Sequence, residues 1–285
     1  MVIFSDSRCL AYERPGHPER SQRISITRNF LEQKYPNWEW KTPQQSSLSD
    51  VYRVHSESHL ARFSKEEDFD SDTAWYPGIL NHALLSAGSA IAAMRGAREG
   101  VKCFSLMRPP GHHASARRVM GFCYLNSVVI AARAALDEGV KNVAIWDFDA
   151  HHGNGTEDLV AGDERIVFAS VHQLPGWPGS GADSHGNIRN YPVAPHSPRL
   201  LHREILRESL DDLIATDPKL LLVSAGFDAY AGDPITEMSL LLEDYEELGR
   251  WLHNVSLPVA CILEGGYSGD LPLLIGSFLE KWENG

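Results

Sequence analysis

Five short apolar runs, each followed by a polar or glycine-rich segment, constrain this chain more than any other feature. The runs are Lys102–Leu106, Asn142–Trp146, Arg165–Val171, Lys219–Ser224 and Pro258–Leu263. Helical patterns accompany them. Pro77–Arg98 spaces Leu80, Leu84, Ala87, Ile91 and Met94 three or four residues apart, which places them on one helix face. Leu125–Leu136, Leu200–Ile214, Leu240–Leu252 and Leu271–Trp282 behave similarly. Strand–helix–strand alternation predicts an α/β fold: a parallel sheet with helices on both faces. In such sheets ligands bind beyond the carboxyl ends of the strands.

Composition narrows the class. The chain has 285 residues and 43% hydrophobic content, enough for one large core. No linker, repeat or low-complexity run divides it, so a single domain over residues 1–285 is expected. The opening MVIFSDSRCL reads as no signal peptide, and no apolar stretch reaches the length of a membrane span. Cys9, Cys103, Cys123 and Cys261 are scattered and form no CxxC pair, as expected of reduced thiols in a cytoplasmic protein. A net charge of −12 argues against nucleic acid, whose phosphates need basic surface. It is compatible with a cationic substrate.

The five run ends carry the chemistry. "MRPPGHHA" brings His112 and His113. "WDFDAHHGNGT" crowds Asp147, Asp149, His151 and His152 into a few positions. His172 and "LPGWPGSG" follow the third run, "AGFDAYAGDP" brings Asp228, and "EGGYSG" brings Tyr267. In a parallel sheet all five can face one crevice. Asp149 and His151 are two apart at a strand exit, so both can point the same way. With Asp228 they make two carboxylates and an imidazole, a set that suits a divalent metal with an open position, as catalytic zinc has. Asp147 is in phase but one step deeper, where it orients a histidine or holds a second cation. The plain alternative is that these aspartates cap loops and helix starts. "GNGT" running into "EDLV" resembles such a start, with Thr156 as the cap.

"RPPGHHA", "GFCYLNS", "WDFDAHHGNGT", "SVHQ", "SAGFDAYAGDP" and "EGGY" occur in this order over residues 108 to 267. Together they resemble the zinc-dependent histone deacetylase family, in its wider grouping with bacterial acetylpolyamine amidohydrolases and acetoin-utilization proteins. The resemblance implies an arginase/deacetylase-like three-layer α/β/α fold around a mostly parallel sheet. It implies zinc held by Asp149, His151 and Asp228. His112 and His113 would flank the water, with His113 as general base and His112 as its electrostatic partner, held by Asp147. Tyr267 would donate its hydroxyl to the substrate carbonyl. Gly121 and Phe122 would form one wall of an acyl tunnel. Trp177, where phenylalanine is commoner, would form the other. Arg20 of "HPERSQRI" would lie near an internal exit for acetate, or equally be a surface residue at a helix start. A K⁺ or Na⁺ site near Asp147 is also implied, with Ser170 contributing its hydroxyl.

The resemblance further implies hydrolysis of an acyl group from an amine. N-ε-acyl-lysine in a peptide or protein is the expected substrate, small acyl-amines such as acetylpolyamines are the alternative, and hydroxamates are expected inhibitors. The chain is short for the family, and its shortened rim bears on specificity. A rim aspartate could correspond to Asp70 or Asp72. Ile235 stands where one polyamine-preferring branch has an acidic gatekeeper, which weakens a polyamine reading unless another loop, through Asp70 or Asp72, supplies the missing charge at the mouth. Two other readings share the fold: an arginase-like enzyme with two manganese ions, and a binding protein without turnover.

Overall fold

The structure is a computed structural model and describes all 285 residues. Eight strands form one sheet: β1 (Val2–Phe4), β2 (Glu39–Lys41), β3 (Cys103–Ser105), β4 (Val143–Asp147), β5 (Ile166–Gln173), β6 (Ile188–Val193), β7 (Leu221–Ala225) and β8 (Val259–Leu263). Their order is β2-β1-β3-β8-β7-β4-β5-β6, and every neighbouring pair is parallel. The five apolar runs are β3, β8, β7, β4 and β5, the contiguous centre of the sheet, with ends within two residues of those expected. Parallel strands covered on both faces read as continuous apolar runs. The strands without such a signal are β1, β2 and β6. β1 is only three residues long, and β2 and β6 are the partly exposed edges.

Nine α-helices accompany the sheet: α1 (Gln22–Lys34), α2 (Leu48–Tyr52), α3 (Glu57–Ala61), α4 (Ile79–Arg98), α5 (Ser127–Asp137), α6 (Asn154–Val160), α7 (Arg199–Ile214), α8 (Leu242–His253) and α9 (Leu271–Asn284). Alternate residues of each strand feed opposite layers. Trp146, Val223 and Cys261 pack with Leu31, Leu210, Leu248 and Phe278 of α1, α7, α8 and α9. Ile145, Leu222 and Ile262 pack with Met94 and Val129 of α4 and α5 on the other side. The Trp146 indole N–H, wholly buried, donates to Ser209 at 2.9 Å. This is the expected three-layer arrangement, with the sheet wholly parallel. No helix is long and apolar enough to cross a membrane.

Topology places the site. After β4 the chain runs outward through β5 and β6, then returns to lay β7 and β8 between β4 and β3. The turns after β3, β4, β7 and β8 therefore lie side by side, at the reversal of strand order where α/β sheets bind ligands. One local expectation is corrected. Helix α6 starts at Asn154 with Gly153 preceding it, so Thr156 lies inside the first turn and caps nothing. Its hydroxyl instead accepts from the buried amide of Asn126 at 3.1 Å.

Candidate active site

The end of β4 and the turn after β7 converge on one cluster. Ligand atoms of Asp149, His151 and Asp228 all lie within 4.8 Å of one another. His151 Nδ1 is 2.9 Å from Asp228 and 3.2 Å from Asp149. Backbone N–H groups hold the carboxylates: Ala150 donates to Asp228 at 2.8 Å, and Gly265 donates to Asp149 at 2.7 Å. Gly265 has to be side-chain-free, because a Cβ there would sit 2.3 Å from Asp228 and 2.5 Å from Asp149. Burial disfavours charge on His151, yet Asp228 and Asp149 push its pKa up to about 10. Burial, reinforced by Asp149, raises Asp228. The cluster thus calls for positive charge in its midst, and its hard-to-borderline donors fit a divalent cation such as zinc.

Two histidines stand beside the cluster with their rings 3.9 Å apart. His112 Nδ1 is 3.0 Å from Asp147, and Asp149 lies 3.7 Å from its other nitrogen. Burial works against the imidazolium, but Asp149 and Asp147 outweigh it and push His112 up to about 10. His113 is treated oppositely. Its Nδ1 faces the neutral amide oxygen of Asn154 at 2.7 Å. Burial, with His112 and His151 nearby, pushes His113 well below its ordinary value. The two neighbouring imidazoles are thus shifted in opposite directions, His112 toward the charged form and His113 toward the neutral one.

A cleft of about 190 Å³ opens above them, lined by Pro18, Asp72, His113, Gly121, Phe122, His151, Trp177, Ile235 and Tyr267. Gly121 and Phe122 both adopt left-handed backbone, with φ of 58° and 65°. A Cβ on Gly121 would lie 2.5 Å from both the His113 and Trp177 rings. Trp177 meets the His113 ring edge-on at 4.6 Å, and Phe122 meets Tyr267 at 5.8 Å. Of the two rim candidates, Asp72 reaches the cleft, whereas Asp70 accepts the backbone N–H groups of Asp72 and Thr73 at its own turn. Ile235 stands partly exposed at the mouth.

Residues 17–272 match the family described as the histone deacetylase domain. The chain belongs to that family. An uncharacterized protein of Synechocystis sp. is 38% identical over 98% of this chain and 97% of its own length. The acetylpolyamine amidohydrolase of Mycoplana ramosa is 34% identical over 84% of this chain and 75% of that protein. The solved HDA15 HD domain superposes with a TM-score of 0.92 at 27% identity, covering all of this chain and 91% of that one. The fold is therefore the arginase/deacetylase fold, and the family is one of hydrolytic deacetylases acting on acyl-amines.

Two further groups of residues surround this deacetylase site. Arg20 is exposed and lines, with Arg23 and Tyr267, a pocket of about 40 Å³. The buried guanidinium is Arg23, whose side chain donates to the carbonyls of Gly266 and Glu264 and lies 4.7 Å over the Tyr267 ring. Helix α1 begins at Gln22, and burying one face turns Arg23 inward while Arg20, before the helix, stays in solvent. His152 and His172 also leave the crevice. Their rings pack at 4.5 Å, tilted by 46°, with His152 bonded to Ser180 and Glu157 and His172 to Ser170 and the Gly181 carbonyl. Ser170 is buried and in register with Asp147.

Four residues of the deacetylase site carry roles that the motif reading did not assign. Asn154 orients His113. Asp233 accepts the backbone N–H groups of Tyr267 at 2.7 Å and Ile235 at 3.1 Å, tying the Tyr267 turn to the mouth. Glu19 pairs with Arg108 at 2.6 Å and Arg23 at 3.3 Å, joining the loops behind the site. Glu264 accepts from Gly111 and His112. Asn154, Asp233 and Glu264 all lie inside the motifs "HHGNGT", "AGDP" and "EGGY". Nothing in local spacing shows which atoms they meet.

Proposed function

We propose that this chain is a zinc-dependent deacetylase that hydrolyses the amide of an N-ε-acyl-lysine. The supporting observation is the Asp149–His151–Asp228 cluster, close enough to share one ion, with His151 in the same cleft as His113 and Tyr267. Asp149, His151 and Asp228 would hold one zinc. When bound, such an ion acidifies water and polarises an amide carbonyl. Asn154 presents its oxygen to His113 Nδ1, so that nitrogen carries the proton and Nε2 keeps a lone pair. Nε2 takes a proton from water as the water oxygen bonds to the carbonyl carbon. It returns that proton to the departing amine nitrogen as the C–N bond breaks. His112, held charged by Asp147, steadies the negative charge that develops. Tyr267 donates its hydroxyl to the carbonyl oxygen, a bond that strengthens as the oxygen gains charge.

Gly121, Phe122 and Trp177 grip the methylenes of the substrate side chain and exclude water. Ile235 offers the mouth no charge, and Asp72 is its lining carboxylate. Asp72 can accept the backbone N–H groups of a peptide or pair with the distal ammonium of an acetylpolyamine, and the substrate comparison distinguishes the two. Asp147 and Ser170, paired in register, would hold K⁺ or Na⁺. Four free buried cysteines accord with a cytoplasmic setting. The test is a kinetic panel on zinc-loaded protein: acetyl-lysine peptides, longer acyl-lysines, N-acetylputrescine and acetylspermidine. Acetyl-lysine peptides should have the highest kcat/KM, and hydroxamates should inhibit. Acetylpolyamines preferred by more than about tenfold, roughly 1.4 kcal/mol of transition-state preference, would refute the lysine assignment.

A further inference from the structure

Glu264 opens the "EGGY" motif, is wholly buried, and has no task in the chemistry above. A buried carboxylate is costly unless its oxygens are bonded. Here a single oxygen, Oε2, accepts two consecutive backbone N–H groups, from Gly111 at 2.6 Å and His112 at 3.1 Å. The other oxygen is 3.5 Å from the Ser224 hydroxyl, a weak contact. The main chain of the same residue faces the opposite half of the site. Arg23 donates to the carbonyls of Glu264 and Gly266, and Gly266 immediately precedes Tyr267. The ladder between β3 and β8 ends at the pair Ser105–Ile262. Beyond it the Glu264 carboxylate directly bonds the histidine turn to the tyrosine turn.

We propose that Glu264 is a positioning residue that sets the separation between the proton-handling His112–His113 pair and the oxyanion-side Tyr267. The proposal rests on the deacetylase reading. The hydrogen bonds ask only for an oxygen at the right distance. A carboxamide supplies one, and its NH₂ can donate to Ser224. A shorter carboxylate keeps the charge but withdraws the oxygen by about one C–C bond, roughly 1.5 Å. Glu264→Gln and Glu264→Asp therefore separate position from charge, and both retain a polar side chain in the buried site.

The experiment compares the two variants with wild type as zinc-loaded proteins, by steady-state kinetics and by spectra of ¹⁵N-labelled histidine. Glu264→Gln should keep kcat within about threefold, and its histidine signals should move less than those of Glu264→Asp, by no more than the loss of one neighbouring charge from His112 accounts for. Glu264→Asp should lower kcat by about 10- to 100-fold with little change in KM, since displacement near 1 Å carries that cost, and should shift the histidine signals. A Glu264→Asp variant as active as wild type overturns the proposal. So does a Glu264→Gln variant as impaired as Glu264→Asp, which would show that the charge is what matters. Wild-type protein inactive on every acyl-amine would instead overturn the deacetylase reading, and the histidine spectra would still decide the role of Glu264.

Discussion

Replacing Gly121 with alanine tests the site at its tightest point. The added methyl carbon would lie 2.5 Å from His113 Cδ2 and 2.5 Å from Trp177 Cη2. Ordinary carbon contacts begin near 3.5 Å, so each ring must withdraw by about 1 Å. Trp177 is 44% exposed and can give way, but His113 is 4% exposed and bonded to Asn154 at 2.7 Å. Moving Trp177 alone leaves the clash with His113. A 1 Å displacement of a catalytic group costs on the order of 10²-fold, or about 2.7 kcal/mol of activation free energy. The left-handed backbone at Gly121 adds about 1–2 kcal/mol of fold destabilisation for any residue with a Cβ. Gly121→Ala should therefore retain zinc, melt a few degrees lower, and lose about 10²-fold in kcat. Steady-state kinetics, metal analysis and thermal unfolding on one preparation supply the three readings. A kcat within about threefold of wild type, with zinc bound, would show that His113 is not held where its geometry implies.

Other expectations follow from the same geometry. Tyr267→Phe should keep zinc and fold but lose about 10²–10³ in kcat, the cost of one oxyanion donor, and a near-wild-type rate would make the hydroxyl merely structural. Asp228→Ala should abolish both metal binding and turnover, and titration of the wild type should end at one equivalent of zinc; two required equivalents would favour a dinuclear site. His113→Ala should be more damaging than His112→Ala, and the reverse order would move the base to His112. Arg20→Ala should change stability by less than about 0.5 kcal/mol and leave kcat near wild type, as at an ordinary exposed position, whereas Arg23→Ala should lower kcat; equal effects would reject the reassignment. Zinc at 100 times its dissociation constant should stabilise the fold by about 2.7 kcal/mol, measurable as a rise in Tm over chelated protein.

What could be read without coordinates has a physical pattern. The central strands declared themselves because both of their faces are covered, so Val143–Trp146 and Leu221–Val223 are apolar without interruption. β2 offers only Glu39, Trp40 and Lys41, with no apolar alternation to detect. Asp149 and His151 were legible as a pair because strand geometry turns residues two apart the same way. Asp228 was legible because it leaves another strand end. Partnerships made across the sequence were not legible. Arg23 meets the carbonyl of a residue 243 positions away, and Asn154 meets His113 from 41 positions away. Choosing Arg23 over Arg20 depends on the phase of α1, which its mixed polar sequence does not reveal.

The order of strands also bears on how the protein is made. β3 and β4 emerge early from the ribosome, yet neither can take its final neighbour until β7 and β8 have followed. Roughly a hundred residues separate the end of β4 from the end of β8, which at about 5–20 residues per second is some 5–20 s of translation. During that interval β3 and β4 each present an apolar strand edge on the nascent chain, the kind of surface that recruits chaperones or misassembles. The last segments synthesised also carry Asp228 and Tyr267, so a chain terminated before β7 lacks the middle of its sheet together with two residues of the cleft region.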